Sequence, residues 1–212
     1  MPAVRSWWSA NRVDTVTSRA TRSWALVSAV LAPVALIGGW TVAAGQQPAG
    51  YSPFRQTISA LAAHGAHDRL LMTCGLFVLG LCDVLTATGL HSASRPGRIA
   101  LAVGGAATIA VAAFPQPHIG SRPAHVVCAS IAFIALAIWP ALAARRGAHS
   151  LLARPASIVA SVLLLGLLTW FAVALGGSDV GLAERVLAGA QALWPLAVVV
   201  STFLPLAHRR EP

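Results

Sequence analysis

Four of the chain's seven histidines, His64, His67, His118 and His125, fall in two short polar segments, and Asp68 directly follows His67. Two imidazoles and a carboxylate can ligate zinc and leave one coordination position open for water. His64, His67, Asp68 and His125 are therefore a candidate set for metal-assisted hydrolysis. The spacing His64-x-x-His67 is short and lies outside any apolar run, and no His-Glu-x-x-His motif occurs. The same side chains can instead hydrogen-bond helix ends. They can also form a headgroup site in which Arg55, Arg122 and Arg185 take a phosphate. No metal or other cofactor is expected.

Two further acids stand out. Asp83 lies inside an apolar run, beside Cys82 and one turn from Thr86. An ionisable group there is costly and is expected to face the interior, as a proton site, a substrate contact or a packing hydrogen bond to Thr108 or a nearby arginine. Glu184 and Arg185 open the last apolar run, where a carboxylate suits the positive end of a helix. Trp194, just before Pro195, sits in the middle of that run and is a candidate pocket wall. Trp24 and Trp139 at one end of their runs, and Trp40 and Trp170 at the other, read as an interfacial belt.

The elements that must position these residues are apolar helices. The chain has 212 residues, of which 57% are hydrophobic and 10% charged. A soluble domain carries about 25% charged residues. Six apolar runs cover about 24–44, 70–90, 99–114, 124–143, 156–175 and 186–207. Each is close to the ~20 residues that cross the hydrocarbon layer as a helix, the third being short. The reading is an all-α polytopic membrane protein, with one six-helix bundle over 23–207 between cytoplasmic tails 1–22 and 208–212. Eleven of the fifteen basic residues, all arginines, fall on one side of these spans and four on the other. The positive-inside rule then puts both termini in the cytoplasm of a cell whose inner membrane holds the protein. Trp7, Trp8 and the scattered arginines of the tail suit the inner lipid surface.

The net charge of +9 does not indicate nucleic acid, because the arginines punctuate apolar runs instead of forming a stripe with aromatics. Cys74, Cys82 and Cys128 all lie within apolar runs and form no C-x-x-C pair, so they read as small packing residues. Ala102, Ala106 and Ala110 beside Gly104 and Gly105 predict close helix packing through the third span.

The longest outward loop, 45–69, predicts an amphipathic helix over 53–63. Ser52 would cap it, Pro53 would take its first position and Gly65 would end it. Phe54, Ile58, Leu61 and Ala62 would form its apolar stripe, with Arg55, Ser59 and Ala63 on another face. Such a helix could roof the bundle. Arg55, Ser59, His64, His67, Asp68, His125 and Arg185 would then surround one outward-facing pocket.

Tyr51-Ser52-Pro53, Ile58-Ser59-x-Leu61, Gly65, a glycine-rich second span, Phe114-Pro115, His125 and Gly181-x-x-Glu184-Arg185 with Trp194 occur in that order. In this the chain resembles the bacterial domain-of-unknown-function 998 family of six-helix membrane proteins, over about 45–205. The family pattern often has an Asp after Phe-Pro, where this chain has Gln116 and His118. The resemblance implies the architecture and a convergence of Ser59, His125, Glu184 and Arg185 on the outer side. It implies no activity. Two functions fit these residues. One is binding or moving a membrane lipid or isoprenoid-like molecule through the outer pocket. The other is an intramembrane enzyme acting on such a molecule, either a metal-assisted hydrolase or an acid-initiated prenyl cyclase. Asp68, His125 and Glu184 are the catalytic candidates, with Asp83 and Asp179 as further acid donors and Trp170 and Trp194 as faces for cations.

Overall fold

The computed structural model describes residues 21–204 apart from His118 and His149. Six long helices, α1 (Trp24–Gly45), α3 (Arg69–Gly89), α4 (Arg95–Ala113), α5 (Pro123–Ala143), α6 (Arg154–Ala174) and α7 (Val180–Phe203), are each long and apolar enough to cross a membrane. A single short helix, α2 (Ile58–Leu61), lies between the first two. The spans match the apolar runs except that α4 begins four residues earlier and α7 six residues earlier than hydropathy predicts, and α7 ends at Phe203 instead of about 207. Both extensions carry arginines, Arg95 and Arg98 in α4 and Arg185 in α7, which a hydropathy reading excludes. The readings of the tails within 1–20 and 205–212 lie outside the described residues.

The long helices form a closed ring in the order α1, α3, α4, α5, α6, α7, with α7 returning to α1. Helix α2 sits against α1, α3 and α7 at one end of the ring. That end carries the loop 46–68 and is called the strap end below. The opposite end gathers the start of α1 and the end of α7. There Thr21 hydrogen-bonds Ser92 (2.7 Å) and Thr202 (3.0 Å), and the Arg98 guanidinium donates to the Ala87 and Thr88 carbonyls that end α3. Such donors satisfy carbonyls that a helix C-terminus leaves unpaired.

Close approach is bought with glycine. Gly80 and Gly105 bring α3 and α4 together so tightly that a Cβ on Gly105 would stand 2.6 Å from the Gly80 carbonyl. Gly97 abuts the backbone of Ala143, and Gly104 abuts Leu136, so α4 packs equally tightly on α5. The packing face of α4 is thus Gly97, Leu101, Gly104, Gly105 and Thr108. Ala106, on the predicted alanine stripe, is exposed. Glycine lowers the backbone separation further than alanine does, and that decides which face turns inward. Trp139 is also placed differently from its predicted belt position, being wholly buried in the core. The lipid-facing surface is apolar, as Val162, Leu163 and Val173 on α6 illustrate.

Candidate functional site: the strap and the cavity beneath it

Residues 51–57 cross the strap end as an extended strap with a tight turn, in which the amides of Arg55 and Gln56 donate to the Ser52 carbonyl. The predicted helix over 53–63 shrinks to Ile58–Leu61, capped by Thr57, whose hydroxyl accepts from the Ala60 amide at 3.1 Å. The strap is drawn away from helical geometry because its carbonyls have stronger partners on α7. Phe54 O accepts from the Gly181 (2.8 Å) and Leu182 (3.1 Å) amides, two of the donors that the first turn of a helix leaves free. Arg185 Nη1 donates to Pro53 O (2.6 Å), Gln56 O (2.7 Å) and Gly181 O (2.9 Å), and its Nη2 donates to the Tyr51 hydroxyl (2.6 Å). A planar fork serves several fixed acceptors at once, which a lysine ammonium cannot do in the same geometry. Gly181 completes the clasp, since a Cβ there would collide with the Pro53 and Gln56 carbonyls. Burial pushes the Tyr51 phenol above the ordinary tyrosine value, and the adjacent Arg185 opposes this.

One residue before Arg185, Glu184 faces the other way, into the bundle, and is buried. Its Oε2 accepts the Ile58 amide and its Oε1 accepts the Ser59 hydroxyl at 3.3 Å. The carboxylate therefore sits at the start of α2 and satisfies a backbone N–H that would otherwise be orphaned. A buried donor without a partner costs about 1–3 kcal/mol. Adjacent residues on α7 thus hold the strap from outside, through Arg185, and α2 from inside, through Glu184.

Two spaces meet at Ser59. An interior cavity of about 50 Å³ runs below it, lined by Glu184, Gln191, Thr108 and Asp83 among apolar side chains such as Leu79 and Phe133. An open polar groove of about 630 Å³ lies above, lined by Tyr51, Gln56, Thr57, His64, His67 and Gln116 among others. Ser59 lines both. The His64 amide donates to the Gln116 carbonyl at 2.9 Å, and this ties the α4–α5 loop to the groove.

The chain matches, over residues 22–201, the model of a family described as protein of unknown function, DUF998. It belongs to that family. No curated protein and no solved structure matches it.

Of the residues picked out from the sequence, this DUF998 chain brings Ser59, Glu184 and Arg185 together, with His64 and His67 on the groove above. The others stand apart. Arg55 is exposed, because the strap is not a helix and the i, i+4 relation to Ser59 does not hold. Phe54 is exposed for the same reason, while Ile58, Leu61 and Ala62 do enter the core. Asp68 is exposed in a left-handed conformation (φ 47°) at the start of α3. Arg122 lies over the Phe114 ring, 5.5 Å from its centroid. His125 is buried, but its Nδ1 bonds the Phe114 carbonyl at 2.9 Å, closing the α4–α5 turn, and it lines neither space. Trp194 borders an apolar cleft between α6 and α7, away from Glu184. Among the described residues no three His, Cys, Asp or Glu side chains stand close enough to hold one metal ion, so His64, His67, Asp68 and His125 do not assemble as a ligand set.

Gln56 and Gln191 carry no signal in the sequence, and Gly181 and Gln116 enter there only through the family pattern, with no role at a site. Gly181 and Arg185 are one helical turn apart, a signal of one shared face, but nothing in the sequence says that the face meets Pro53 and Gln56.

Proposed function

We propose that this protein spans the inner membrane with both termini in the cytoplasm, and that its outward groove binds or moves a lipid or isoprenoid-like molecule. The orientation is supported by the arginine asymmetry, eleven against four. Under it the strap end faces outward. The observation that carries the binding reading is Ser59, one side chain bordering both an open polar groove and a mostly apolar interior cavity. An amphiphile needs that pairing: hydrogen-bonding groups for its head and an apolar path for its tail. Ser59, His64 and His67 are the proposed head contacts. Arg185 holds the strap in place, and His125 closes the α4–α5 turn without lining the groove.

A second reading, an acid-initiated enzyme on the same kind of molecule, is favoured by one observation. Two buried carboxyl groups, Glu184 and Asp83, line the same cavity. A general acid must reach its substrate within hydrogen-bond distance, and the cavity is where substrate and acid would meet. The hydrolase version has no comparable support, since its four residues are dispersed.

Native mass spectrometry of the protein released from mild detergent tests the binding reading. A retained amphiphile adduct is expected on the wild type and its loss on Ser59→Trp, which fills the junction. Bare protein in both, across several mild detergents, would count against the proposal.

A further inference from the structure

Asp83 has no part in the strap and no part in holding α2. It is 2% exposed, and its Oδ1 has no hydrogen-bond partner among the described residues. It stands fourteen residues into α3 from Arg69, about 21 Å along the helix at ~1.5 Å per residue. Among the described residues, the elements that line its cavity bring no counter-charge. From α4 come Gly105 and Thr108, whose hydroxyl is already donated to the Gly104 carbonyl. From α1 comes Leu36, from α5 Ala132 and Leu136, and from α7 Gln191, whose amide is donated to the Phe133 carbonyl. The neighbouring Cys82 is a core thiol on the same helix. Arg98 lies beyond the next turn and spends its donors on the Ala87 and Thr88 carbonyls. Glu184 is the other titratable side chain lining the cavity.

The route away from Asp83 is one-sided. Toward the opposite end, Thr86 hydrogen-bonds Ser28 at 2.8 Å, and Ala29, Ala87, Leu90 and Leu101 belong to one buried apolar cluster. Toward the strap end the cavity runs from Asp83 past Thr108 and Gln191 to Glu184 and Ser59, and Ser59 borders the groove. A water needs ~10–15 Å³ of such space and two to four polar partners, so about 50 Å³ holds roughly three to five waters. Asp83 Oδ1, the Thr108 hydroxyl oxygen, the Gln191 carbonyl and the Glu184 carboxylate supply acceptors along the way.

We propose that Asp83 is an intramembrane proton-binding site, in exchange with the groove through water in this cavity and past Ser59 and Glu184. Asp83 Oδ1 gains a proton from the adjacent water. That water is re-protonated by the next, and the last one takes its proton from solvent in the groove, so nothing else is consumed. The proton route shares this cavity with the proposed tail path, but its test needs no ligand, so it and the amphiphile reading fail by separate measurements.

The test is infrared spectroscopy of the full-length protein in nanodiscs on transfer from H₂O to D₂O. A protonated-carboxyl C=O band absent from Asp83→Asn is expected in the wild type, and it should shift on deuteration. Ala188→Leu, one turn below Glu184 on the cavity wall, should slow that shift at least about tenfold while the band persists, because exchange then needs local opening. Thr108→Val, nearly isosteric, should slow it as well and serves if Ala188→Leu does not fold. The proposal is overturned if no band is lost in Asp83→Asn at any pH the protein tolerates. It is equally overturned if the wild-type band does not exchange in the folded protein, or if it exchanges as fast in both cavity variants as in the wild type.

Discussion

Tyr51 is the only tyrosine in the chain, so its phenol can be followed without interference. It closes the Arg185 clasp, and burial raises its pKa above the ordinary value of 10.0. A group whose folded value is raised contributes stability that is fully present below the ordinary value. That contribution is lost as pH climbs through the raised one. Ultraviolet titration should therefore give a phenolate midpoint above 10.0, returning toward it when the protein is unfolded. The strap should loosen only in that alkaline window, and Tyr51→Phe should abolish the transition. A midpoint at or below the ordinary value would mean that the phenol is not enclosed by the strap. At this scale much was legible from residue type. Glu184 and Arg185 stood out as charges beside an apolar run, and Arg185 does reach the 53–56 segment. The opposite orientation of their side chains was not legible, because it depends on where Pro53, Gln56 and Ile58 arrive in space.

At the scale of elements, the strap is a contest between local and tertiary preference. Ser52-Pro53 has the chemistry of a helix start, and an isolated segment of that sequence would be read as helix. Two amides and a guanidinium on α7 offer its carbonyls better-placed partners, and the helix survives only where Thr57 and Glu184 cap it. Local rules see one element at a time and so miss this outcome. The six spans were legible because hydropathy over some 20 residues does not depend on neighbours. The packing face of α4 was only half legible, with glycines and alanines both present and the closer approach winning. The strap's dependence on Gly181 gives a direct test. Gly181→Ala would place a Cβ against the Pro53 and Gln56 carbonyls. Overpacking of this kind costs about 1–3 kcal/mol. Hydrogen exchange should show residues 51–57 losing protection while α3 and α4 keep theirs. Unchanged protection in the strap would show that it does not lean on this turn of α7.

For the whole molecule, the ring of helices divides into a laced end and a strapped end. At the laced end arginines and hydroxyls satisfy helix termini. At the strapped end a groove and a cavity meet. In the proposed orientation the laced end faces the cytoplasm. Reporter fusions at residue 60 and at the C-terminus should accordingly report opposite sides of the membrane, and agreement between them would overturn the topology.

The proposal that the groove above Ser59 receives the head of an amphiphile is put to the test by ligand-dependent thermal stabilisation of the purified protein, with farnesyl phosphate and phosphatidylglycerol as probes. At least one probe should stabilise the wild type. Ser59→Ala and His67→Ala should each weaken the effect about tenfold, as loss of a ~1.4 kcal/mol contact would. His125→Ala, which touches neither groove nor cavity, should melt earlier yet respond to the probe like the wild type. Stabilisation undiminished in both Ser59→Ala and His67→Ala, or absent from the wild type with both probes, would contradict the claim and leave the strap end a structural network alone.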